Sequence, residues 1–323
     1  MLAAVQQTSL AVSDFGGFDA TMSDDFTIDV RAYRLSEQLQ PFFTALNSFE
    51  IDCADHVLVR DCLHPEWAVL RFIQSGAPPI GAVTPEPARP SYPFVVSGPT
   101  SRSIDFTLGK SRIWGLGLQP AGWARFVDLP ACDLADRIID GHGNAELALF
   151  APILDLVREA GDPDDTARRI NAYLLAQDVP VSPSHQAIVA CQQALHDPEI
   201  ANVEMLVSRL GMGRRSLERL CVRYFGFPPK VLLRRQRFLR SLARFTLEPA
   251  KHWSDALDVH YFDHAHFVRD FRSFMGMTPT EYAAAPHPIL ERIIGQRLVD
   301  NGAAAETDLP TVLRYAGQAA RVD

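Results

Sequence analysis

The chain has 323 residues, 47% hydrophobic and 22% charged, with a net charge of −8. This composition excludes a disordered or low-complexity chain and gives material for two domains with cores of their own. No apolar run approaches the roughly 18 residues of a membrane span, and five scattered cysteines (Cys53, Cys62, Cys132, Cys191, Cys221) fit reduced thiols in a cytoplasmic protein better than a disulfide scaffold.

Residues 1–25 are small, polar and acidic, as in a flexible tail. The first basic residue is Arg31, so no secretory signal is expected. Over 26–120 short β-branched or aromatic runs alternate with Gly, Pro and Ser: FTIDVRAYRL, HVLVRDC, WAVLRFI, YPFVVSG, SIDFTLG and RIWGLGL. They predict a small β barrel or sandwich, interrupted early by one helix around SEQLQPFFTAL. Trp67, Trp114 and Trp123 are candidate pocket-lining residues of a sensing or dimerisation domain.

Near Pro120 the period changes to three and four, and 121–180 reads as a helical connector, with DPDD starting a helix at 162–165. VPVSPS, at 179–184, is a linker. Residues 181–286 read as an all-α domain with stops at GMG, GFPP and GMTP. Thr278 with Glu281 is a capping-box pattern, and Pro279 suits the first helical position. In 287–323, Ile289, Ile293 and Leu298 fall near helical spacing, as in a helix that docks on the body or a partner before the chain becomes disordered. The fold class is therefore α+β.

Charge is distributed unevenly. Between Arg209 and Arg244 there are eleven basic residues and one acid, Glu218, and ten of the eleven are arginine. A basic block on an acidic chain calls for a polyanionic partner, and the guanidinium fork suits phosphates and base edges.

Within this helical region one pattern occurs twice. In VEMLVSRLGMGRRSLERLCVRYFG, Val203, Leu206, Val207 and Leu210 form one apolar face, a Gly turn follows, and Leu217, Leu220, Cys221 and Phe225 form a second. Arg214, Arg215, Glu218, Arg219 and Arg223 are left outward. In HWSDALDVHYFDHAHFVRDFRSFMG, Trp253, Ala256 and Leu257 face in, 259–262 turns, Asp263 caps, and Phe267, Val268, Phe271 and Phe274 or Met275 face in. His264, His266 and Arg269 lie near the exposed start of that helix, and Lys230 to Phe245 make a linker helix. Two short helices, a tight turn and a basic second helix suit a major groove.

RRSLERLCVRYFG and YFDHAHFVRDFRSFMGMTP resemble the AraC-type (AraC/XylS) transcription regulators over about residues 185–285. The resemblance implies two helix-turn-helix units placing recognition helices in successive major grooves of double-stranded DNA. It puts Arg215, Glu218 and Arg219 of the first unit and His264, His266 and Arg269 of the second at base-reading positions. Their chemistry agrees: arginine is bidentate to guanine, and glutamate accepts from cytosine N4. Arg214, Arg223, Arg234 and Arg235 are expected on phosphates. His260 stands where the family usually has Gly, Gly213 replaces the usual Ser cap, and Asp255 occupies an apolar position. The β-rich half is diffusely similar to the family's cupin-like sensing domains. The resemblance thus implies a homodimeric, non-enzymatic regulator without a cofactor, controlled by a small-molecule effector or partner, with RNA polymerase a further partner.

Two metal readings compete. His260 and His264 are four apart, but the turn at 259–262 breaks the helical register that would join them. Cys53, His56, Cys62 and His64 are zinc-capable donors within twelve residues. With His56, His64 and Glu66 they give the alternative, a cupin-type enzyme or sensor binding a metal at 53–66.

Overall fold

The computed structural model describes residues 26–159, 161–247 and 253–299. The tail expected at 1–25, the disorder expected at the far end and the Leu298 side chain lie outside the described residues.

Strands β1 (Phe26–Tyr33), β2 (Phe43–Cys53), β4 (Ala68–Ser75), β7 (Phe94–Ser97), β9 (Ser111–Leu118) and β10 (Ile138–Asp140) form one antiparallel sheet in the order β1-β2-β9-β4-β7-β10. A smaller sheet runs β3-β8-β5-β6, from β3 (Val59–Leu63), β5 (Ile80–Val83), β6 (Arg89–Pro90) and β8 (Ile104–Leu108).

The helix expected at SEQLQPFFTAL does not form. Residues 37–42 are tight turns, with the Leu39 amide donating to Ser36 and the Phe42 amide to Leu39, and β2 starts at Phe43. Pro41 lacks an amide to continue a helix. Beyond it, Asn47, Phe49 and Ile51 alternate with Leu46 and Ser48, and pairing on both edges, to β1 and β9, completes the strand.

Alternation positions everything that follows. On β4, Leu70 and Phe72 join the large core under the helices, while Val69, Arg71 and Ile73 face the smaller sheet. On β9, Trp114 and Leu116 take the first side, Ile113 and Gly115 the second. Helices α1 (Pro120–Phe126), α2 (Pro152–Arg158), α3 (Pro163–Leu175) and α4 (His185–His196) belong to the first side. Asp162 caps α3 through the Asp164 amide, and Pro163 opens it.

The same core continues into the first helix pair, α5 (Val203–Leu210) and α6 (Arg214–Phe225), through Leu206, Leu217, Cys221 and Phe225. Helix α7 (Pro229–Leu247) leads to the second pair, α8 (Trp253–Ala256) and α9 (His264–Met275). Those elements share their own core of Phe238, Leu242, Phe267, Phe271, Phe274 and Met275. Helices α10 (Pro279–Ala284) and α11 (Pro288–Val299) end the described chain.

Candidate nucleic-acid interface and effector cavity

In the first unit, the Asn202 side chain caps α5 by accepting from the Met205 amide at 2.9 Å. Gly211, at φ 60°, ends α5 in the left-handed region that a side chain would strain. Leu217, Cys221 and Phe225 are buried, which turns Arg214, Arg215, Glu218, Arg219 and Arg223 to solvent. Arg214 makes a 2.8 Å pair with Glu204, and Arg223 approaches Asp128 at 4.0 Å. Both pairs are exposed and worth little. Among the described residues no acid pairs with Arg215 or Arg219.

In the second unit, Asp263 caps α9 through the His266 amide at 2.6 Å, and Phe267, Phe271, Phe274 and Met275 are buried. His264 and Arg269 are exposed near the start of that helix. His266 is turned back: Arg237 Nη2 donates to its Nε2 at 3.2 Å, and the ring meets Tyr261 edge-on. It braces α9 against α7, where a base contact was expected.

His260 has an account too. Among the described residues the only non-glycine with positive φ is Asp136, so this turn does not require a glycine. The His260 amide donates to Asp258 at 3.0 Å, and its Nε2–H donates to the Pro198 carbonyl at 2.7 Å. The histidine ties the second turn to the segment between α4 and α5.

Helix α7 corrects the reading of the basic block. Arg235 is fully buried. Its Nη1 donates to the carbonyls of Thr100 at 2.9 Å and Glu66 at 3.2 Å, and its guanidinium lies 3.8 Å from the centre of the Trp67 ring. It cannot reach a phosphate. Arg234 donates to Asp270 at 2.6 Å, Arg237 to the same carboxylate at 3.0 Å, Arg240 to buried Asp258 at 2.5 Å, and Arg244 to the Leu257 carbonyl at 3.0 Å. These side chains hold α7 to its neighbours.

One loop receives the ends of both α6 and α9. Between β7 and β8, Pro99 packs against the backbone of Gly226, which ends α6 at φ 84°. Thr100 supplies its carbonyl to Arg235, while the Ser103 amide donates to the Phe274 carbonyl at 2.7 Å and its hydroxyl to that of Met275 at 3.2 Å. Orphan carbonyls at the end of α9 are thereby satisfied by the β-rich half.

A cavity of about 200 Å³ lies on the other side of the large sheet. Ile73, Val95, Phe106 and Ile113 contribute from the sheets, Leu239, Leu242 and Ala243 from α7, and Ile289, Leu290 and Ile293 from α11. Gly115 keeps space open there, since a Cβ on it would meet nothing within 4 Å. At one end Arg71 pairs with Glu66 and donates to Ser97 Oγ at 2.7 Å. Of the three tryptophans expected at a pocket, Trp67 lines this one. Trp114 points to the helical layer because strand alternation sends it there. Trp123, on α1, is buried in that layer and donates to the Leu129 carbonyl at 2.6 Å.

The alternative zinc set does not assemble. Cys53 donates to the Val57 carbonyl, His56 is exposed, and His64 meets the Tyr282 hydroxyl at 2.8 Å. Glu66 is held by Arg71, so the His56, His64 and Glu66 set does not converge either. Cys62 instead lies with Asp61 and His287, the one group of three donor residues found close together among the described residues.

Residues 206–285, from α5 through α10, match the family described as "Helix-turn-helix domain". These residues form a helix-turn-helix domain. That unit contains α6, α7 and α9. No sequence among the curated proteins matches the chain. Solved structures similar to it include ToxT of Vibrio cholerae O395 bound to (E)-4-(8-methylnaphthalen-1-yl)but-3-enoic acid, at 11% identity and a TM-score of 0.42, covering 80% of this chain and 98% of that one. Another is unsaturated fatty acid-bound ToxT of Vibrio cholerae strain SCE256, at 11% and 0.38, covering 81% and 95%. The AraC-like transcriptional activator CuxR follows at 13% and 0.24, covering 67% and 87%. Among the described residues no helix is long and apolar enough to cross a membrane.

Proposed function

We propose that the chain is a sequence-specific DNA-binding transcription regulator rather than an enzyme, controlled by a small, largely apolar effector in the cavity beneath α7. The observation that carries this reading is the outward face of α6, where Arg215 and Arg219 are exposed and without an acidic partner among the described residues, next to Glu218. Arg215, Glu218 and Arg219 are assigned to base edges, with His264 and Arg269 in the second unit. Arg214 and Arg223 are assigned to phosphates. The cavity's apolar walls and its Arg71–Glu66 end suit an apolar body carrying one polar group. A homodimer acting in the cytoplasm, with RNA polymerase as a further partner, completes the proposal.

Two measurements test the DNA reading. Arg219→Ala should weaken binding by about 1–3 kcal/mol and relax preference at one base pair. A uniform loss over all sequences would make Arg219 a phosphate contact. Binding of the full chain should also fall with salt, roughly tenfold between about 50 and 200 mM for the two phosphate contacts assigned to each chain. A flat response would remove the DNA assignment altogether.

A further inference from the structure

Helix α11 follows the DNA-binding unit, yet it packs on β1 and β3 and closes the cavity with Ile289, Leu290 and Ile293. Its hold on the β-rich half is specific. Asp61, on β3, is buried, and both of its oxygens are engaged. Oδ2 accepts from the amides of Ile289 and Leu290, each at 2.8 Å, and so caps the start of α11. Oδ1 accepts from the Cys62 amide at 2.7 Å and from His287 Nδ1 at 3.1 Å. His287 Nε2 donates to the Tyr282 carbonyl at 3.0 Å, and its ring stacks on that of Tyr282 at 4.2 Å. Both ring nitrogens face acceptors, which is the arrangement an imidazolium satisfies.

The other walls are not free to open. The sheets are paired along their strands, and α7 is pinned by Arg235, Arg237 and Arg240. Helix α11 is joined to α10 by the three residues 285–287 and fastened at its start through a single carboxylate.

We propose that α11 is the gate of the effector cavity and that Asp61 with His287 is its latch, so the effector enters and leaves when this helix swings away from β1 and β3. This deepens the assignment of the cavity as the effector site and rests on it. The latch links a wall of the site directly to the C-terminal end of the DNA-binding unit.

The latch is also sensitive to pH. Burial opposes charge on His287, but its hydrogen bonds to Asp61 and the Tyr282 carbonyl, with Glu291 nearby, outweigh this and raise its pKa. The neighbouring groups are Cys62 and Arg60 on β3, Asp105 on β8, Tyr282 on α10 with His64 beyond it, and Glu291 on α11. A raised histidine pKa means that the stabilisation is complete at low pH and is lost as pH rises through the folded-state value. The gate should therefore loosen on the alkaline side.

The test uses the full chain and 1-anilinonaphthalene-8-sulfonate as probe, with stopped-flow fluorescence and amide hydrogen exchange. Asp61→Asn should speed probe association and dissociation about tenfold or more and raise exchange at 289–293, leaving β2 and β9 protected. His287→Gln should give a smaller acceleration and flatten the rise of the wild-type rates with pH; it carries the test alone if Asp61→Asn does not fold. Faster exchange at 289–293 with probe rates within twofold of wild type would overturn the gate. Gly115→Leu, which fills the cavity, should abolish saturable probe binding. Undiminished binding to that variant would overturn the cavity assignment itself, and the gate with it.

Discussion

Arg235→Ala should lower the stability of the full chain by about 2–4 kcal/mol while leaving the salt dependence of DNA binding at its wild-type slope. The guanidinium is fully buried between Trp67 and two carbonyls of the β-rich half. Truncation removes the stacked cation and leaves the Thr100 carbonyl without its donor, a buried polar group whose neglect costs about 1–3 kcal/mol. A cavity the size of the lost side chain adds to the penalty. Arg235→Lys should recover little, because an ammonium reproduces neither the planar stack nor the fork. Urea unfolding gives the first quantity, and DNA titrations at several salt concentrations give the second. A phosphate contact would behave in the opposite way: unchanged stability and a salt slope smaller by about one. That pair of results would return Arg235 to the DNA.

The contrast between α6 and α7 shows what the sequence carried. The outward arginines of α6 were legible because Leu217, Cys221 and Phe225 fix the buried face, and the remaining positions have one direction left. The arginines of α7 have the same composition and much the same spacing, but their partners come from elsewhere. Asp258 and Asp270 lie beyond the basic stretch, and the carbonyls of Glu66 and Thr100 lie more than a hundred residues before it. A count of charges along the chain registers only the local imbalance. The same distinction governs the strands: alternation in AVLRFIQS puts Arg71 on one face with Val69 and Ile73, so its place at the cavity was open to inference. For Trp114 the phase of β9 decided, and that phase is set by pairing with β2 and β4. The joining of Asp61 with His287 spans 226 positions and had no local sign beyond the helical spacing of Ile289 and Ile293. The early strand β2 was missed for a related reason: one of its two partners, β9, is distant in sequence, and helical propensity in SEQLQPFF was the stronger local signal.

Asp270→Ala should be the most damaging single change in the second helix-turn-helix unit. Its carboxylate is 3% exposed and accepts from Arg234 at 2.6 Å, from Arg237 at 3.0 Å and from the Tyr261 hydroxyl at 3.2 Å. Removing the anion leaves two guanidinium groups facing each other across the space it filled, and breaking a buried pair of this kind costs about 3–5 kcal/mol. The damage should stay local. Hydrogen exchange should rise along α9 and the turn at 257–262, while α6, which packs on α1 and the 3-10 turn at 131–133, keeps its protection. Asp270→Asn retains the shape and two of the acceptor positions, so its loss should be smaller. On a long DNA site the Ala variant should protect the half-site read by α6 and lose the half read by α9. Equal loss of both halves would mean that the units do not bind separately, and α7 would then have to be regarded as a rigid strut that transmits the collapse of one unit to the other.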